Sequence, residues 1–82
     1  MFEQINEPIK VLASFSKGVI TPHQFSWQHR LIKIAQINLV HPLKDGAVTH
    51  HVFFVSSATA NYKITFNTVT LKWYLEQIYE TT

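Results

Sequence analysis

The stretch NYKITFNTVTLKWYLEQI, residues 61–78, decides between an all-β fold and one that carries a helix. Tyr62, Ile64 and Phe66 alternate with Lys63, Thr65 and Asn67. Leu71, Trp73 and Leu75 then alternate with Lys72, Tyr74 and Glu76. Period-two alternation of this kind marks half-buried strands. Asn67-Thr68 between the two runs reads as a turn. The last segment also admits a second reading. Leu71, Tyr74, Leu75 and Ile78 fit the i, i+3, i+4, i+7 pattern of an amphipathic helix, with Thr70 as its N-cap. The strand is favoured, because Trp73 would sit off the helix's apolar face and because a hairpin pairs the two runs directly. A short helix over 70–79 stays as the alternative.

Working outward, the same alternation recurs. Ile9, Val11, Ala13 and Phe15 form one apolar phase, ended by the turn Lys17-Gly18, where Gly supplies a positive φ at little cost. Pro22 cannot donate to a ladder and points to an edge or a connection. Phe25 and Trp27 make a short strand, and Gln28-His29 a tight turn. From Leu31 to Val40 the apolar positions are Ile32, Ile34, Ile37 and Leu39. The alternation slips by one residue around Ala35, as a β-bulge or a strand buried on both faces would make it. Pro42 to Ala47, containing Asp45-Gly46, reads as a hairpin connection. Val48 to Val55 is a strand, and Ser56 to Ala60 a loop of small residues.

The expectation is one all-β domain over residues 1–82. It has five or six antiparallel strands in a meander, near 8–16, 23–28, 31–41, 48–56, 61–67 and 70–78. A sheet this apolar must curl, close into a small barrel or pack on a copy of itself. The expected core is Val11, Phe25, Trp27, Ile34, Ile37, Phe53, Tyr62, Ile64, Phe66, Trp73 and Leu75.

The 82 residues are 46% hydrophobic and 15% charged, with a net charge of +2 and no cysteine. That composition excludes disorder. No apolar run approaches the roughly 20 residues of a membrane span, and Met1 to Lys10 lack the apolar core of a signal peptide. A soluble, cytoplasmic protein without disulfides is expected.

Sites are sparse. His50 and His51 are adjacent in a strand and point to opposite faces. His23, His29 and His41 lie in predicted turns without zinc-ligand spacing. No metal or other cofactor is expected, and His50 or His51 is read as a structural histidine bonded to a backbone carbonyl. Asp45 is the only Asp and sits in a turn, while Glu3, Glu7, Glu76 and Glu80 lie near the ends. No nucleophile elbow or phosphate-binding Gly-rich loop is present, so an enzyme is not expected. Lys10, Lys33, Lys63 and Lys72 each fall on the polar phase of a different strand. On one sheet they would line an outer face able to track a phosphate backbone. Their ordinary role is to keep the sheet soluble and guard its edges.

The segment Pro22-His-Gln-Phe25-Ser-Trp27-Gln-His-Arg30 resembles a family of small bacterial β domains of unknown function, with the pattern Pro-x-x-Phe-x-Trp-x-x-Arg. Those domains close on a Tyr-x-Leu-x-Phe strand, a turn and a Trp-x-Leu-Glu strand. Tyr62, Ile64, Phe66, Trp73, Leu75 and Glu76 stand in those places here. The chain departs from the family at Gln28-His29, where a Gly is common. The resemblance spans about two-thirds of the chain and supports the C-terminal hairpin. It implies no established activity. A loose association with lesion-bypass DNA synthesis adds weight to a nucleic-acid-binding accessory role.

Two functional expectations follow. The first is a non-enzymatic interaction module, homo-oligomeric and most simply a dimer, because Leu12, Leu31, Val52 and Phe54 fall on the phase opposite the core. It admits a further protein partner and no membrane. The second is a nucleic-acid-binding accessory domain using the four lysines.

Overall fold

A computed structural model of the protein describes residues 2–80. Its elements are β1 (Phe2–Ser16), β2 (Val19–Trp27), β3 (Arg30–Lys33), β4 (Gln36–Asp45), β5 (Val48–Ser56), β6 (Ala60–Asn67) and β7 (Trp73–Glu80). All pair antiparallel in one sheet of order β3-β2-β1-β7-β6-β5-β4. There is no helix among the described residues, so residues 73–80 are strand.

The tight turns follow from local chemistry. Lys17-Gly18 and Gln28-His29 both hold two positive φ angles (52° and 79°, 51° and 60°). These are the type I′ geometry that matches strand twist. Gly46, at φ 64°, opens the β4–β5 turn as the first central residue of a type II′ turn. Between β6 and β7, Asn67 caps its own turn, its Oδ1 accepting the amides of Val69 (2.8 Å) and Thr70 (3.0 Å). Residues 70–72, expected in the last strand, belong to this turn.

Three expectations are corrected. There are seven strands rather than five or six. The segment 31–41 is not one bulged strand but two, β3 and β4, which lie at opposite edges of the sheet. At the corner between them, Ile34 N–H donates to His23 O (3.0 Å) and Ala35 N–H donates to Ser56 O (2.7 Å). Consecutive amides thus bond to opposite ends of the strand order, and the sheet must curl to bring β2 and β5 to one point. The bulge in this segment falls at Asn38, between the pairs Ile37↔Val55 and Leu39↔Phe54. Third, the topology is two meanders, β1–β2–β3 and β4–β5–β6–β7, joined where β1 pairs with β7. No ladder joins β3 to β4, so the curled sheet is not a closed barrel.

Two further boundaries move. β1 is 15 residues long because its N-terminal half pairs with β7 and its C-terminal half with β2. Pro42 lies within β4 rather than in the connection, and is tolerated there because β4 is an edge.

The concave face holds the core. Phe25, Ile32, Phe53, Val55, Ala60, Tyr62, Ile64, Phe66, Trp73, Leu75 and Ile78 are buried in one cluster, with Val11, Trp27, Ile34 and Ile37 partly buried against it. Phe25 meets Tyr62 edge-on at 5.1 Å, and Trp73 packs between Phe66 (4.7 Å) and Phe53 (5.5 Å). The Phe25–Tyr62 contact ties the β1–β2–β3 wing to the larger one. Bulges tune which residues face in. Lys63 pairs with Gln77 but Ile64 with Leu75, so Glu76 is an extra residue on β7. Leu75 and Ile78 therefore both point inward across a spacing of three. That spacing is what makes this strand resemble a helix in sequence.

Candidate interaction surfaces

The four lysines are placed as follows. Lys10 and Lys33 are exposed on the outer face of the β1–β2–β3 wing, where Lys10 opposes Ser26 and Lys33 opposes Gln24. Lys63 lies on the outer face of β6, on the other wing, and its Nζ sits 3.4 Å from a carboxylate oxygen of Glu76 and 5.9 Å from the centre of the Phe54 ring. Glu76 also accepts a hydrogen bond from the Thr65 hydroxyl, so the bulge residue is held from two sides. Lys72 is exposed in the β6–β7 turn, its carbonyl accepting the Asn67 amide at 2.9 Å. The charge of Lys63 is thus compensated locally, while Lys10, Lys33 and Lys72 have no ion-pair partner among the described residues.

The histidines divide differently from expectation. His23 shares a hydrogen bond with Ser14 Oγ (2.9 Å), and His41 donates from Nδ1 to Pro42 O at 3.4 Å while stacking on Phe54 at 6.0 Å. Neither His50 nor His51, one of which was expected to be the structural histidine, makes such a side-chain bond among the described residues. Among the described residues no three His, Asp or Glu side chains converge as metal ligands.

Of the exposed large apolar side chains, two groups lie on the outer face of the sheet. Leu12 (60% exposed) and Leu31 (56%) share the outer face of the small wing with Lys10 and Lys33. Leu39 (54%) and Leu43 (53%) share the outer face of β4, with His41 between them and Phe54 beside Leu39. Val52, expected on the outward phase, is nevertheless buried, lying between His41 and Thr65 in register.

Two concavities adjoin β3. A cleft of about 570 Å³ opens at one end of the curled sheet and is lined by Glu3, Trp27, Arg30, Tyr62, Ile78 and Glu80, among others. The Gln28-His29 turn places Trp27 and Arg30 opposite each other there, and the Trp27 indole N–H donates to Glu7 Oε1 at 2.9 Å. A groove of about 330 Å³ continues along Arg30–Lys33, walled on its far side by Ser57–Thr59. Sequence reading missed both, because their walls come from strands far apart in the chain. The one local signal was the two-residue turn that sets Arg30 across from Trp27.

Compared with known proteins, the chain matches no family model, no curated protein and no solved structure. No helix long and apolar enough to cross a membrane occurs among the described residues.

Proposed function

We propose that this protein is a non-enzymatic interaction module that acts as a homodimer through the outer face of β4. The observation that supports this reading is the pair Leu39 and Leu43, both more than half exposed on one face of a ten-residue edge strand. Apolar side chains grouped on a folded surface mark contact sites more often than isolated ones do. A two-fold arrangement covers both copies with the same patch. The contact is face to face rather than edge to edge. In the β4–β5 hairpin, Asp45↔Val48 flanks the two-residue turn and is a hydrogen-bonded pair, so Pro42↔His51, three steps on, is not. Pro42 therefore faces the free edge with the nitrogen that carries no hydrogen, and an added strand loses a bond there.

Sedimentation or light scattering at tens of micromolar is expected to give a dimer mass. The Leu39→Glu/Leu43→Glu double variant is expected to give a monomer with an unchanged far-UV spectrum. A wild-type monomer at that concentration, or a double variant that still dimerises, would rule the surface out.

The nucleic-acid reading rests on Lys10 and Lys33, which share one outer face and have no acidic partner among the described residues. Its test is retention on immobilised single- or double-stranded DNA. Binding through these lysines is independent of sequence and falls with salt, each neutralised phosphate contributing about 0.7–0.9 to the log–log slope. Retention unaffected by salt, or none at all, would dispose of it.

A further inference from the structure

β3 is an edge strand, and the groove beside it is shaped by that open edge. Ile34 N–H bonds to His23 O, so counting back by twos along the antiparallel ladder makes Phe25↔Ile32 and Trp27↔Arg30 the hydrogen-bonded pairs. The N–H and C=O groups of Leu31 and Lys33 therefore point away from β2, on the side of the groove. Among the described residues β3 has no other strand partner to take them.

The side chains add a charge. Arg30 and Lys33 stand at the two ends of β3, both exposed, and neither has an ion-pair partner among the described residues. Among the described residues the groove itself is lined by no carboxylate, while Glu3 and Glu80 line the adjoining cleft that Arg30 shares. An incoming extended chain thus meets two donors and two acceptors spaced two residues apart, with a cation at each end, Arg30 on the concave side of β3 and Lys33 on its outer face. A nucleic acid strand matches this less well. Its phosphodiesters have no donor for the free carbonyls, and the aromatic ring in the groove, Tyr62, is 4% exposed and packed on Phe25, so bases find no stacking platform.

We propose that β3 receives an extended acidic segment of a partner protein as an added strand. The ligand's backbone pairs with Leu31 and Lys33, and its carboxylates meet Arg30 and Lys33, the edge-addition mode of peptide recognition. This surface is separate from the outer face of β4 and does not depend on the dimer.

The test is titration of the ¹⁵N-labelled full chain with four probes. They are a capped peptide of Val with Glu three residues apart, so that one carboxylate falls on each face, its Lys and Val counterpart, the acidic peptide with every backbone amide N-methylated, and an oligothymidylate. The acidic peptide is expected to shift the amides of Leu31 and Lys33 and to slow their hydrogen exchange. The Arg30→Gln/Lys33→Gln variant, with its spectrum otherwise dispersed as in the wild type, is expected to bind it about tenfold or more weakly, as loss of charge-assisted hydrogen bonds implies. The fully N-methylated peptide, which has no backbone N–H to donate on either edge, is expected not to bind. The Leu39→Glu/Leu43→Glu variant is expected to bind as the wild type does, whether or not that variant is monomeric. No shift at millimolar acidic peptide, equal binding of the Lys peptide, full binding of the N-methylated peptide, or shifts at these amides with oligothymidylate alone would each overturn the proposal.

Discussion

Gln28 and His29 are consecutive non-glycine residues held in the left-handed region. Both hold positive φ in a turn that favours Asn-Gly, and neither is a residue that adopts the left-handed region freely. Replacing the pair, Gln28→Asn/His29→Gly, is expected to stabilise the protein by about 1–2 kcal/mol. For a chain of this size that raises Tm by roughly 4–8 °C per kcal/mol, read in a thermal melt. A lower Tm would mean that the Gln28 and His29 side chains contribute more than their backbone costs. Phe66 is the opposite case, a residue whose environment agrees with it everywhere. It is buried, lies 4.7 Å from Trp73, and is approached by Phe15 at 5.9 Å. Phe66→Ala is expected to cost about 3–5 kcal/mol, from lost burial and the cavity left behind. A small domain has little more than that in total. An unchanged urea midpoint would contradict the packing described.

At the level of elements, the edges differ in how they are protected. β3 is short and carries Arg30 and Lys33, while β4 is long and apolar but carries Pro42. Short length, charge and proline are the usual ways of blunting an exposed edge. Restoring a donor at the centre of β4 by Pro42→Val is expected to promote edge-to-edge pairing, seen as concentration-dependent growth in scattered light without loss of β signal. An unaltered size distribution would show that the proline is not what guards this edge. The bulges act on faces rather than edges. The Glu76 bulge turns both Leu75 and Ile78 inward, and its own carboxylate is taken up by Thr65 and Lys63 on the outer face. The Lys63–Glu76 pair is partly exposed, and such pairs contribute little to stability, so it orients the bulge more than it holds the sheet.

For the whole molecule, the decisive pairing is β1 with β7. It joins the two meanders and makes the first and last strands neighbours, with Phe2 and Tyr79 stacked at 5.5 Å. Stability is accordingly concentrated in the middle of the strand order. Ile64 on β6 and Leu75 on β7 have no exposed surface, whereas β3 and β4 each bond on one side only. Native-state hydrogen exchange is expected to be slowest at β6 and β7 and fastest at the Leu31 and Lys33 amides, whose N–H groups face outward. Protection at Leu31 equal to that at Ile64, measured on the free protein, would contradict the open edge.

What alternation along the chain determined on its own was the all-β class, the C-terminal hairpin and the full burial of seven of the eleven expected core residues, five of them within 61–78. Alternation is a local property, written at a period of two wherever one face is buried. Val11, Trp27, Ile34 and Ile37 came out only partly buried: Val11 lies past the end of the β1–β7 pairing, Trp27 and Ile34 at a turn and a corner, and Ile37 on the edge strand β4. The number of strands, the corner at Ile34-Ala35 and the pairing of β1 with β7 were decided by the tertiary structure alone. A corner and a bulge both appear in sequence as a one-residue slip, and only the partners of the flanking amides, His23 on one side and Ser56 on the other, tell them apart. The cleft and groove beside Arg30 have the same origin. Their walls come from both meanders, and nothing short of the curl that joins those meanders brings them together.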